Sequence, residues 1–168
     1  MTPMTRPTEA STDEAAWLDD DEMAFWRAFL SASGRAMNAI GIDLRADSGL
    51  TLDDYEVLVR LSEAPDLRIR MSELADSVVQ SRSQLTQRID RMVDRGLVAR
   101  VRCPEDRRGT FAVLTDAGVD MLAAAAPDHV ASVRRHVIDH LDRRQLRAGT
   151  EALRSIVGAA GGDDLVAS

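Results

Sequence analysis

The stretch MSELADSVVQSRSQLTQRIDRMVDRGLVARVRCPEDRRGTFAVLTDAG, residues 71–118, decides the fold. Two short helical patterns stand close together at its start. Ser72 is positioned to cap the first, MSELADSVV, which places Leu74, Ala75 and Val78 on one face. Ser81 opens the second, and with Gln84 it forms an S-x-x-Q capping box, in which each side chain satisfies the other residue's backbone N–H. Leu85, Ile89, Met92 and Val93 make the apolar stripe of this second helix, and Gly96 stands where a C-cap requires a left-handed residue. Beyond it LVARVR (97–102) and FAVL (111–114) alternate as strands do, with CPEDRRGT supplying the turn chemistry between them. Two helices followed by a hairpin with a charged tip is the order of a winged helix-turn-helix.

Outward from that unit the pattern is helical. Met23, Trp26, Leu30, Met37, Ile40 and Leu44 recur at helical intervals from about Asp21 to Ala46. Gly49 breaks the chain, and Thr51 with Asp54 resembles a capping box for a helix from Leu52 to about Ser62, burying Tyr55, Leu58 and Leu61. Thr115 caps a long helix from Asp116 to about Leu141, in which Pro127 predicts a bend or break. A last helix, roughly Arg143 to Ala159, repeats Leu146, Leu153, Ile156 and Val157. The expected fold is mainly α with a small β-hairpin. Its organisation is a flexible acidic tail (1–20), an N-terminal dimerisation helix (21–50), a winged helix-turn-helix (51–115), C-terminal dimerisation helices (116–160) and a short tail (161–168). Helices flanking so small a centre leave apolar stripes exposed in a lone subunit, and two-fold pairing covers them.

Composition removes several function classes. No apolar run approaches the roughly 20 residues of a membrane span, and the acidic N-terminus has no signal-peptide h-region. A single cysteine, Cys103, excludes an internal disulfide framework and suits a reducing cytoplasm. Taken whole, the formal net charge of −7 argues against a nucleic-acid partner, but its distribution reverses that reading. Residues 1–25 carry seven carboxylates against Arg6, whereas residues 81–110 carry eight arginines against Asp90, Asp94, Glu105 and Asp106. A local basic patch is the electrostatic footprint of phosphate binding whatever the total charge. No nucleophile–base signature, Gly-rich phosphate loop or clustered ligand set is present, so neither an enzyme nor a cofactor or metal site is expected.

The polar face of the 81–96 helix carries the candidate chemistry: Arg82, Ser83, Gln84, Thr86, Gln87, Arg88 and Arg91. Gln and Arg read adenine and guanine edges bidentately in the major groove, and the N-terminal part of the second helix is the part that reaches bases. That favours Ser83, Gln84, Gln87 and Arg88 for readout, with Gln84 partly committed to capping. Arg82, Arg91 and Arg95 are better placed for phosphates. At the hairpin tip, Arg107 and Arg108 fit the negative potential of the minor groove, and Asp106 is read as holding the tip in shape. A polar helix face is most often merely solvated; the neighbouring helix, the hairpin and the arginine excess move the balance to double-stranded DNA. The alternative is a winged-helix adaptor that binds protein without specific DNA binding.

Residues from about 20 to 158 resemble the MarR family of bacterial regulators, through MSELADSVVQSRSQLTQRIDRMVDRGLVARV and PEDRRGTFAVLTDAG. The D-R-R-G tip followed by a strand and L-T-x-A-G is the more specific part. The resemblance implies a homodimer with interlocked terminal helices, a pseudo-palindromic operator, and repression often relieved by a small-molecule effector. It places Ser83, Gln84, Gln87 and Arg88 on the recognition helix, and Asp106, Arg107 and Arg108 on the wing. Trp26, Phe29, Met37 and Tyr55 are candidates for lining an effector pocket, as are Trp17 and Phe25, although helical spacing alone assigns most of them to a core. Cys103 opens the wing turn beside arginines and also beside Glu105 and Asp106, a poor setting for a redox sensor. His136 and His140 have i, i+4 spacing but too few companions for a metal.

Overall fold

The structure, a computed structural model, describes residues 17–78, 81–103 and 109–159. Most of both expected tails, and the wing tip with Asp106, Arg107 and Arg108, lie outside the described residues. In chain order the elements are α1 (Asp20–Ser48), α2 (Leu52–Glu63), β1 (Arg68–Arg70), α3 (Met71–Ser77), α4 (Arg82–Asp94), β2 (Val98–Arg102), β3 (Thr110–Leu114), α5 (Asp116–His136) and α6 (Arg143–Ala159). Short 3₁₀ turns at Pro65–Leu67 and Ile138–His140 complete the described chain.

The chain divides after Arg35 into two compact units. The first holds the opening turns of α1. Asp19 and Glu22 cap them reciprocally, the Asp19 N–H donating to Glu22 at 2.9 Å and the Glu22 N–H to Asp19 at 2.8 Å. Phe29 stacks with Phe25 and Trp26, ring centroids 6.4 and 6.1 Å apart, yet Phe25, Trp26 and Leu30 all remain exposed.

The second unit contains the core. Leu44 from α1, Leu50 from the link after it, Val57, Leu58 and Leu61 from α2, Leu74 and Ala75 from α3, and Leu85, Ile89 and Met92 from α4 close over Leu97, Val98, Ala112 and Leu114 of the sheet region. The sheet is antiparallel in the order β1-β3-β2, with Ile69 opposite Ala112 and Arg100 opposite Ala112 on the other side. Strand β1 was not legible in the sequence, since three residues are too few to display an alternation. Its presence also corrects the reading of Ser72. Helix α3 begins directly at Met71 with Arg70 as an extended N-cap making no side-chain cap bond. Pro127 does not end α5, which continues to His136. The carbonyl that the missing N–H leaves unpaired belongs to Ala123, an exposed residue, so no buried acceptor is orphaned.

Candidate nucleic-acid interface

Helix α4 has both ends fixed by its own sequence. The Ser81 N–H donates to Gln84 Oε1 at 3.1 Å and the Gln84 N–H donates to Ser81 Oγ at 3.3 Å, closing the capping box. At the other end Gly96, at φ +74°, donates to the Val93 carbonyl at 2.8 Å, and Leu97 donates to the Met92 carbonyl at 2.9 Å. Those two bonds form a Schellman motif, which glycine permits at no steric cost. Between the ends, Leu85, Ile89 and Met92 are buried to 1% exposure or less. Val93, expected in the same stripe, is 38% exposed because it lies one position past Met92 and turns off the buried face.

Opposite that stripe Ser83, Gln84, Thr86, Gln87 and Arg91 are exposed. Ser83, Gln87 and Arg91 follow at intervals of four along one line of the helix. Gln84 is exposed, with its Oε1 taken by the cap. The Thr86 carbonyl accepts from Arg100 of β2 at 3.1 Å. The side chain of Arg82 lies outside the description.

Arg88 corrects the expectation that it projects outward for readout. Its side chain is only 12% exposed and is held by the N-terminus of α2. Nη1 donates to Asp54 Oδ1 at 2.8 Å and to Thr51 Oγ1 at 3.1 Å, and Nη2 pairs with Asp53. The reason is angular. Arg88 follows Leu85 by three and precedes Met92 by four, so it borders the buried stripe rather than opposing it. Asp54 divides its oxygens, Oδ2 accepting the Thr51 N–H at 3.2 Å to complete the α2 capping box while Oδ1 takes Arg88. Burial alone raises the Asp54 carboxyl. The hydrogen bonds from Thr51 and Arg88, together with the Arg88 charge, outweigh it and hold the group below the ordinary carboxylate value. Arg95, read from sequence as a phosphate ligand, directs Nη1 to the Gly49 carbonyl at 3.4 Å.

The base of the hairpin is tied to α4 by a pair that sequence reasoning missed. Arg100 Nη1 bonds Asp90 at 2.5 Å, across a separation of ten residues that gives no local signal. At the turn the Cys103 N–H donates to the Gly109 carbonyl at 2.9 Å, and Cys103 is 6% exposed.

The remaining candidates are dispersed. Trp26 and Phe29 stack on each other in the first unit. In the second, Met37 lines a shallow groove with Asn38, Gly41 and residues Thr51–Asp53, whereas Tyr55 lies against His129 at 4.3 Å between ring centroids. Burial lowers the His129 pKa and raises that of Tyr55. His136 has a specific partner. Its Nε2 lies 2.9 Å from Asp43 Oδ2, which also accepts from Ser132 at 2.7 Å and Arg135 at 3.1 Å. Among the described residues no three His, Cys, Asp or Glu side chains group closely enough to hold a metal.

Comparison with known proteins agrees with this architecture. Residues 48–109 match the family model described as MarR family. The structure of AbsC, a MarR family transcriptional regulator from Streptomyces coelicolor, superposes with a TM-score of 0.82 at 44% identity, covering 88% of this chain and 99% of that one. Sco3205, a MarR family transcriptional regulator from the same organism solved in complex with DNA, superposes with a TM-score of 0.81 at 36% identity, covering 85% and 90%. The HTH-type transcriptional regulator MhqR of Bacillus subtilis (strain 168) is 28% identical over 108 residues, which is 64% of this chain and 72% of that protein. The winged helix-turn-helix, its Schellman-capped recognition helix and these likenesses together establish that the chain belongs to the MarR family of transcriptional regulators.

Proposed function

We propose that the protein binds double-stranded DNA sequence-specifically as a homodimer and represses transcription from a pseudo-palindromic operator. The observation that carries this reading is the exposed line Ser83–Gln87–Arg91, with Gln84 beside it, on a helix whose opposite face is buried in the core. Such a face offers bidentate donors to base edges and a cation to phosphate. The 36%-identical relative solved with DNA supports the same partner. Arg107 and Arg108 at the wing are proposed to enter the minor groove, with Asp106 holding the tip in shape. The homodimer reading draws on apolar side chains left exposed in one copy: Phe25, Trp26 and Leu30 on α1, and Leu153 and Ile156 on α6. Release by a small-molecule effector rests on family membership.

Selection from a random duplex pool, followed by binding isotherms between about 50 and 200 mM salt, tests the reading. A DNA-binding regulator yields an inverted-repeat motif with half-sites about one helical turn, or a multiple of it, apart. Its log K falls linearly with log salt. Arg91→Ala is expected to weaken binding to the selected site by about 1–3 kcal/mol. Failure to enrich any motif, with binding insensitive to salt, identifies a protein-binding adaptor instead.

A further inference from the structure

Two arginines expected to touch DNA, Arg88, which is turned inward, and Arg95, which stays exposed, have a common destination. Arg88 on α4 and Arg95, its C-cap, are seven residues apart, about two turns along one side of the helix, and both reach the corner between α1 and α2. Arg88 meets Thr51, Asp53 and Asp54 there, and Arg95 meets the Gly49 carbonyl. The corner is itself well defined. Gly49 is left-handed at φ +69°, Leu50 is fully buried, and Thr51 and Asp54 cap each other. We propose that Arg88 and Arg95 are positioning residues that hang the recognition helix on the α1–α2 corner, and so set the angle at which Ser83, Gln84, Gln87 and Arg91 meet the groove.

The inference rests on the DNA-binding reading and adds a division of labour within it. A helix held to the core only by its apolar stripe can roll about its own axis, because dispersion contacts are non-directional. A guanidinium bound by two carboxylates and a hydroxyl has a fixed plane, and its fork geometry resists that roll. Asp54 is the hinge of the arrangement, since one carboxylate both starts α2 and holds α4. Positioning through Asp54 therefore predicts that a residue on α2, not on α4, controls DNA affinity.

The test uses the full-length protein and its selected duplex. Wild-type binding with a linear salt dependence comes first, and its absence counts against the DNA reading rather than against the positioning role. Asp54→Ala removes a negative charge, which by electrostatics alone strengthens DNA binding. Positioning predicts the opposite, a loss of about tenfold or more. Arg88→Ala is expected to lose a similar factor, with unchanged base preference on renewed selection and an unchanged slope of log K against log salt. The double variant is expected to be no worse than Arg88→Ala alone. Arg88→Lys keeps the charge but not the fork, so it too is expected to lose affinity. It also serves if Arg88→Ala does not fold. In Asp54→Ala, held well below its melting temperature, amide NMR shifts from Ser83 to Arg91 are expected to move while those of β2 and β3 stay. A purely global loss of stability moves neither set. Three outcomes overturn the proposal: tighter or unchanged binding by Asp54→Ala, altered base preference at one position per half-site in Arg88→Ala, or a salt slope reduced by about 1 in Arg88→Ala, the mark of a lost phosphate contact.

Discussion

Asp54 sits three residues beyond the N-cap of α2, a place where a carboxylate is ordinarily a helix-starting convenience worth well under 1–2 kcal/mol. Here it is largely buried and bonded to Arg88, so its ionised form is favoured by folding. The folded carboxyl titrates below its unfolded value. Its contribution to stability is therefore complete above the unfolded value of about 4 and is lost as pH falls through the folded value. Asp54→Asn is expected to be less stable than wild type at neutral pH, and that gap is expected to shrink as pH drops below about 4. Urea melts at pH 7, 5, 4 and 3 check this, and a gap independent of pH contradicts it. The Thr51–Asp54 box was legible in the sequence because it is local. The arginine that shares it was not, because Arg88 is 34 residues further on and its place among polar residues reads as an outward, DNA-facing position.

At the scale of elements, the joint between the sheet and α5 explains the L-T-x-A-G signature physically. Thr115 accepts the Gly118 N–H at 3.0 Å as the cap of α5 and donates back to the Gly96 carbonyl at 2.7 Å. Gly118 lies so close to the residue just before β2 that an added Cβ meets the Leu97 carbonyl oxygen at 2.3 Å and Leu114 Cδ1 at 2.6 Å. The first of these is backbone and has little room to yield. Gly118→Ala is therefore expected to destabilise the protein by about 1–3 kcal/mol despite alanine's better helix propensity. Chemical denaturation checks the size, and a stabilised variant shows that the joint relaxes freely. The signature was readable as a motif from the sequence, and the Thr115 cap with it. Why position 118 is glycine was not readable, because the constraint comes from a strand turn twenty-one residues earlier.

At the scale of the molecule, the proposed homodimer draws on the apolar residues that α1 and α6 leave exposed. Helix α6 has no buried residue in a single copy, although Leu153 and Ile156 lie on one side of it at i, i+3. Leu153→Asp is expected to raise the dimer dissociation constant by an order of magnitude or more and to weaken operator binding with it, because two half-sites must then be engaged separately. Analytical ultracentrifugation across a concentration series measures the first effect, and an unchanged dimer removes α6 from the interface. By itself the sequence determined the order of helices, their caps at Thr51, Ser81 and Thr115, the chain break at Gly49, the left-handed Gly96, and the family. All of these depend on neighbours within a turn or two of chain. Tertiary structure alone decided that β1 exists, that Arg100 ties the hairpin to Asp90, and that Arg88 faces the protein rather than the groove. Each of those depends on which distant group a side chain or strand meets, and periodicity assigns a residue to a face without saying what lies opposite it.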